Sequence, residues 1–217
     1  FNSKFNLDNK KIENLPIGLF GDFYSQELSM ILLKSSDFKN LKNIFEKCNL
    51  RIKKIYVKSF IKGANLSINN NDRNTFFYLD VQDFNSKIFF FENNSLKFEQ
   101  NFNFGLEIII KDICKITSLK EEFTKKILEK INISDEVSED LVDKEYFKEN
   151  SYRKIKKKLL YDIVLARLKE ILELILLKNP NLYYYKKFNK SLYIEMNTSS
   201  HIRGLEQVFR KIISSET

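Results

Sequence analysis

The sequence predicts an α/β protein built on a mixed sheet. Two observations carry this. Segments with strand-like and helix-like periodicity alternate along the chain, in the order strand, helix, strand, then three strands, a helix, an all-helical stretch, a strand and a helix. Hydrophobic residues make up 43% of the 217 residues, enough to bury a real core and to argue against global disorder.

Each element has its own signal. Residues 1–14 are polar and rich in Asn and Lys. Leu15-Pro16-Ile17-Gly18-Leu19 marks a turn into a strand. Glu27 to Leu33 reads as a strand. Ser36 to Cys48 reads as a helix, with Leu41, Ile44, Phe45 and Cys48 on one face and Ser36 or Asp37 able to cap its first turn. Ile52, Ile55 and Val57 suggest a strand over Arg51 to Phe60. Gly63 to Asn74 is polar and suits a domain junction. Thr75 to Val81 is almost wholly apolar, as a central strand buried on both faces would be.

Lys87–Phe91 and Ser95–Phe104 form a predicted hairpin around Glu92-Asn93-Asn94. Leu106 to Ile116 places Ile109, Ile110, Ile113 and Ile116 on a buried helix face. Leu119 to Ile131 does the same with Phe123, Ile127, Leu128 and Ile131. Ser134 to Asn150 holds seven acids and reads as a solvated excursion. Ser151 to Lys178 is the longest predicted helix. It has a basic start, an apolar stripe of Ile155, Leu159, Ile163, Ala166, Ile171 and Leu174, and a stop at Pro180. A strand over Ser191–Met196 and a helix over Ile202–Ile213 complete the chain.

Composition excludes several chemistries. Only 5 Gly are present, and neither a Walker A loop nor a GxGxxG fingerprint occurs. One His and two Cys leave no His/Cys metal cluster and no serine-protease-like triad. Cys48 and Cys114 lack motif spacing, so buried, reduced thiols are expected. No apolar run reaches membrane-spanning length; Ile171 to Leu177 is interrupted by Glu173. The chain opens on Phe1 and shows no signal peptide, so it is expected to be an internal fragment of a longer cytosolic protein. The net charge of +8 beside 20 Phe and 10 Tyr raises nucleic-acid binding as a reading. Abundant Lys, Asn and Ile also fit an AT-rich genome, and the aromatics fall mainly at core positions, so no nucleic-acid partner is expected. Tyr183-Tyr184-Tyr185-Lys186-Lys187 is the exception worth testing.

A run of short motifs in fixed order resembles the second half of the actin-like ATPases, and within them the bacterial cell-division protein family FtsA. Ile12 to Gly21 (IENLPIGLFG) resembles that family's NPiGm segment. Asn43 to Phe60 is similar to the segment that closes its small subdomain 1C. Leu79-Asp80-Val81 aligns with the second phosphate motif, vDiGggTtd. Phe102 to Ile113 aligns with lpvGGnhiTnDIA, Glu121 to Lys125 with AExIK, Lys158 to Leu172 with the arginine-bearing helix of subdomain 2B, and Leu192 to Phe209 with vvLTGGgaqlpGl. The resemblance implies an actin-like, ribonuclease H-like domain 2 with a helical 2B insertion, preceded by part of an SHS2-like 1C. Residues 1–62 would be partial 1C, 63–118 the first part of 2A, 119–190 helical 2B, and 191–217 the return of 2A. Pilus proteins of the PilM type share the core and form the nearest alternative.

The resemblance also implies a nucleotide site at Asp80, Gly105, Glu122, Lys125 and Gly204. Phosphates there are held by backbone N–H groups of glycine turns, and this chain departs from the pattern. The DIGGGTTD equivalent reads Asp80-Val81-Gln82-Asp83-Phe84-Asn85-Ser86-Lys87, with every glycine gone, and the adenosine turn reads Asn197-Thr198-Ser199. Asp80 keeps the position that would handle Mg²⁺ and the attacking water; a strand-end Asp that caps a turn is the plainer reading. Glu122 and Lys125 match purine and ribose contacts, or form an ordinary i,i+3 helix pair. His201 matches no catalytic position. ATP with Mg²⁺ is thus implied by family, while the missing glycines predict that it is weakened or lost and that the chain is not an enzyme.

The implied partner is the acidic C-terminal peptide of the tubulin-like FtsZ, gripped by Lys158 and Arg167, with Arg able to bind carboxylate bidentately. The plainer reading is a solvated basic helix face. Self-association through 1C and a place on the cytoplasmic face of the inner membrane are also implied, the latter through segments outside this chain.

Overall fold

The computed structural model describes residues 4–12, 14–28, 30, 32–69, 75–93, 95–133, 139–147, 152–186, 191–196 and 202–216. The chain forms two compact units: Phe1–Phe77 with Phe89–Glu99, and Tyr78–Ile88 with Gln100–Thr217.

The first unit opens with a small sheet of order β2-β1-β3, formed by β1 (Lys4–Leu7), β2 (Lys10–Ile12) and β3 (Tyr24–Glu27). The polar N-terminal stretch is therefore not irregular. Asp8 and Asn9 both take positive φ, 49° and 63°, as a two-residue hairpin turn requires. The Asp8 carboxylate then accepts from the Asp22 and Phe23 amides, at 3.0 and 2.8 Å. The strand expected at Glu27–Leu33 ends at Glu27. Glu27 pairs with Lys4 of its partner β1.

Helix α1 (Ser35–Lys47) starts one residue early, and neither Ser36 nor Asp37 caps it: the position before the helix is Lys34, with no side-chain cap. Cys48, expected to be buried, is exposed. The expected strand over Arg51–Phe60 is irregular to residue 57 and then enters α2 (Lys58–Asn69). Val57, Ile61 and Ala64 recur at helical spacing, and the Ile61 amide donates to the Val57 carbonyl at 3.1 Å. The polar stretch that began at Gly63 is thus helical as far as Asn69. Gly63 is buried against Phe91: a Cβ there would lie 2.2 Å from the ring.

β4 (Phe76–Val81) is buried at every position, Asp80 included, as its almost wholly apolar sequence predicts. It joins β5 (Ser86–Glu92), β6 (Ser95–Phe102) and β7 (Ser191–Met196) in a mixed sheet of order β6-β5-β4-β7. The β5–β6 turn puts Asn93 at φ 50°. In the first unit Phe76 stacks on Phe91 with ring centroids 4.9 Å apart, and Phe77 meets Phe90 at the same distance.

In the second unit α3 (Glu107–Thr117) packs on α4 (Glu121–Lys130) and α5 (Lys157–Leu172), and α5 meets α7 (Leu205–Glu216). The apolar residues expected inside α3 and α4 are buried except one, with Glu107 and Thr124 buried beside them. Ile116 is exposed and Thr117 is buried in its place, its hydroxyl donating to the Ile113 carbonyl at 2.6 Å. Part of the acidic stretch is packed, not solvated. Val142 and Phe147 are buried, the latter ending a 3-10 turn over Lys144–Phe147, and Leu141 forms a β-bridge with Lys156.

That bridge holds Lys156 extended, so α5 begins at Lys157 and not at Ser151. Its buried face is Leu160, Ile163, Val164, Leu168, Ile171 and Leu172, while Leu159 and Leu174 are exposed. Apolar residues occupy adjacent positions on α5, so periodicity alone does not choose between the two faces. A π-helical turn over Glu173–Leu177 then shifts the phase and buries Ile175. Asn179 ends this run. Its buried side chain donates to Gln100 Oε1 and the Ile175 carbonyl, at 2.9 and 3.0 Å, and accepts from the Asn181 amide at 3.0 Å. A 3-10 turn (Pro180–Leu182) and the short α6 (Tyr183–Lys186) follow. α7 starts later than expected because Gly204, at φ 87°, forms the turn before it.

Candidate functional site

The turn after β4 lies on the start of α3. A helix leaves its first four N–H groups without intrahelical partners, and these are a natural cradle for an anion. Here all four are taken. The Leu106 amide donates to the Gln82 carbonyl at 3.0 Å, and the Glu107 amide to the Asp83 carbonyl at 2.9 Å. The Ile108 and Ile109 amides donate to the Gly105 and Leu106 carbonyls, at 3.4 and 3.0 Å. The turn is itself closed by the Gln82 amide on the Asn85 carbonyl, at 2.9 Å, and pinned by the Ser86 hydroxyl on the Phe104 carbonyl, at 2.9 Å.

Gly105 makes this approach feasible. A Cβ at that position would sit 2.1 Å from the Gln82 carbonyl oxygen and 2.7 Å from that of Asp83, both backbone atoms. Asp80 is buried and accepts from the Gln82 side-chain amide. Phe84 projects into solvent at the tip.

Glu107, in the first turn of α3, is buried and receives Lys125 at 3.0 Å; Lys125 also meets Glu121 at 2.8 Å. A carboxylate at this end of a helix is favoured by the helix dipole. The Lys125 ammonium holds the Glu121 carboxyl below its ordinary range, through the hydrogen bond first and the charge second. Hydrogen bonds to Glu121 and Glu107 in turn raise Lys125. The pairing expected between Glu122 and Lys125 is thus replaced by one to Glu121 and Glu107, while Glu122 is exposed. Asp80, Gly105 and Lys125 are brought into one connected region through Gln82 and Glu107. Gly204 lies in a turn tied to the end of α4 by the Arg203 amide on the Leu128 carbonyl, at 3.1 Å. Sequence reading missed Glu107; its only signal was an acid directly after Gly105-Leu106.

The cationic pair on α5 is not brought together. Nine residues separate Lys158 from Arg167, which puts them on opposite sides of the helix, about 13 Å apart along its axis. Arg167 donates to Asp112 on α3 and to Glu170 on its own helix. Lys158 and Lys156 both meet Glu139, at 3.2 and 2.7 Å, and lower its carboxyl, Lys156 foremost. Tyr183 and Tyr184 are exposed, and the rings of Tyr184 and Tyr185 meet edge to face at 5.3 Å. Lys187, Asn197-Thr198-Ser199 and His201 lie outside the described residues. Among the described residues no group of His, Cys, Asp and Glu is arranged to hold a metal ion, and no helix is long and apolar enough to cross a membrane.

A structure of MreB5 from Spiroplasma citri bound to ADP superimposes with a TM-score of 0.55 at 14% identity, over 84% of this chain and 59% of that one. The chain has an actin-like fold. Weaker superpositions include the ethanolamine utilization protein EutJ from Carboxydothermus hydrogenoformans, with a TM-score of 0.45 at 11% identity over 71% of this chain and 46% of that one. A PilM–PilN type IV pilus biogenesis complex gives 0.44 at 12% identity over 78% and 43%. This actin-like chain therefore spans about half the length of the solved structures it matches. No family profile matches the sequence, and no curated protein matches it.

Proposed function

We propose that this chain is an actin-like adaptor of the FtsA type. In this reading it holds the acidic C-terminal peptide of FtsZ and helps to organise division filaments at the inner membrane, without turning over nucleotide. The observation that carries the adaptor reading is the closed start of α3. Every N–H group that a phosphate would use there already has a backbone carbonyl, supplied in part by a turn that carries Asp83 where the family carries glycine. A nucleotide would have to displace that turn and bring its own negative charge beside the acidic pair of Asp80 and Asp83.

The peptide-binding reading rests on the chemistry of α5. Arg167 and Lys158 already hold carboxylates, those of Asp112, Glu170 and Glu139. An acidic peptide offers the same group. Two separate cations on opposite sides of the helix call for two separate contacts, not one clamp. Self-association through residues 1–62 belongs to the same reading.

Two measurements test it. Calorimetric titration of the full-length protein with ATP and Mg²⁺ is expected to give no saturable heat below millimolar nucleotide. Micromolar affinity would favour a working nucleotide site and overturn the adaptor reading. A fluorescent FtsZ tail peptide is expected to bind the wild type and to weaken on Lys158→Glu; no change in anisotropy with either protein refutes the partner.

A further inference from the structure

Helix α1 has no buried residue, yet its sequence is amphipathic. Phe38, Leu41, Ile44 and Phe45 fall within a stripe about 120° wide, and they are 43%, 40%, 61% and 38% exposed. The apolar exposure continues along the chain on both sides, with Met30 at 80%, Leu32 at 91% and Leu50 at 56%. An isolated helix of this length is marginal in water, so this face needs a cover.

The charge indicates what kind. Residues 34–58 carry eight Lys and Arg against Asp37 and Glu46, a net of +6 out of the chain's +8. On the helix, Lys42 and Lys47 flank the apolar stripe and Lys39 stands on the far side. Their long stems let apolar surface be buried while the ammonium groups stay at a polar boundary.

We propose that α1, with the apolar residues on either side of it, lies flat on an anionic lipid surface. A convex apolar face rimmed by cations matches an interfacial helix, whose stripe enters the acyl boundary while the basic residues meet phosphate headgroups. An acidic protein would satisfy the lysines but would leave Met30, Leu32 and Ile44 without an apolar cover. The inference is independent of the nucleotide and FtsZ readings, and it uses residues 30–58 of this chain and not any segment beyond it.

Sedimentation of the full chain with phosphatidylcholine vesicles, with and without phosphatidylglycerol, tests it. Binding is expected to the anionic vesicles, to be weak on neutral ones, and to fall as salt rises. Each basic residue near an anionic surface contributes about fivefold, so Lys42→Glu with Lys47→Glu is expected to weaken binding at least about 25-fold. Ile44→Asp removes the apolar half of the interaction at an exposed site, and circular dichroism checks that both variants stay folded. No binding to anionic vesicles overturns the proposal. So does binding that ignores lipid charge and salt, or binding by folded variants that equals wild type. A concentration-dependent oligomer broken by Ile44→Asp, without vesicle binding, assigns the face to a second copy and overturns it as well.

Discussion

Gly105→Ala is the sharpest test of the closed turn. The new Cβ would lie 2.1 Å from the Gln82 carbonyl oxygen, whereas ordinary contact begins near 3.4 Å, so the turn must retreat by more than an ångström. That movement breaks the Leu106–Gln82 and Glu107–Asp83 hydrogen bonds, now 3.0 and 2.9 Å. Two such bonds contribute roughly 2 kcal/mol together, and the displaced turn adds about 1–3 kcal/mol of packing strain. The lower chain entropy of unfolded Ala returns about 0.4–1 kcal/mol. The net loss is therefore about 2–5 kcal/mol, a large part of a typical total of roughly 5–15 kcal/mol. In equilibrium urea unfolding followed by circular dichroism, the midpoint is expected to fall by about 1–2 M. Hydrogen exchange should also show the Leu106 and Glu107 amides losing protection. An unchanged midpoint with both amides still protected would refute the reasoning, because it would mean that the turn does not rest on the helix.

Asn179→Ala removes the three hydrogen bonds of a buried side chain and leaves Gln100 Oε1 with the 3.3 Å bond from the Asn181 side-chain amide; a loss of about 2–3 kcal/mol in urea unfolding is expected, and a loss below 0.5 kcal/mol contradicts the bond network. Lys125→Gln is expected to destabilise the protein near neutral pH by leaving Glu107 unpaired. Glu121 is held low, so its share of the stability is present above its unfolded value and lost as pH falls through the lowered folded one. Lys125 is raised, so its share is present at and below the ordinary lysine range and lost as pH climbs through the higher folded value. The gap between wild type and variant should thus close at both extremes, and a pH-independent gap argues against the clamp. Arg167→Gln alone leaves the half-buried Asp112 without its partner and should cost about 1–3 kcal/mol, whereas Arg167→Gln with Asp112→Asn should recover most of it. Additive losses would show that the two residues do not interact.

How legible each part was depends on the range of the forces involved. The apolar run of β4, the hairpin at Asn93 and the buried faces of α3 and α4 could be read directly, because local periodicity and burial there agree. The hairpin at Asp8-Asn9 was missed, because the polar residues around it concealed a sheet that buries little. Where neighbouring positions were both apolar, as in α5, the stripe was misplaced: which of Leu159 and Leu160 goes inside depends on what packs against the helix. The strand proposed over Arg51–Phe60 fell to helical spacing at Val57, Ile61 and Ala64, a weaker pattern completed only by burial of Gly63 against Phe91.

The α/β class, the order of most elements from β4 onward, the absence of glycine from the turn after Asp80 and the positive charge of residues 34–58 all follow from the residues alone. These are properties of composition and of near neighbours along the chain. Tertiary packing decided which groups meet the first N–H groups of α3 and the charges around it. Capping of α3 by Gln82 and Asp83, capture of Lys125 by Glu107, and the locking of Arg167 to Asp112 all join residues distant in sequence. Such contacts are fixed by how helices and strands pack, and packing is a property of the whole fold.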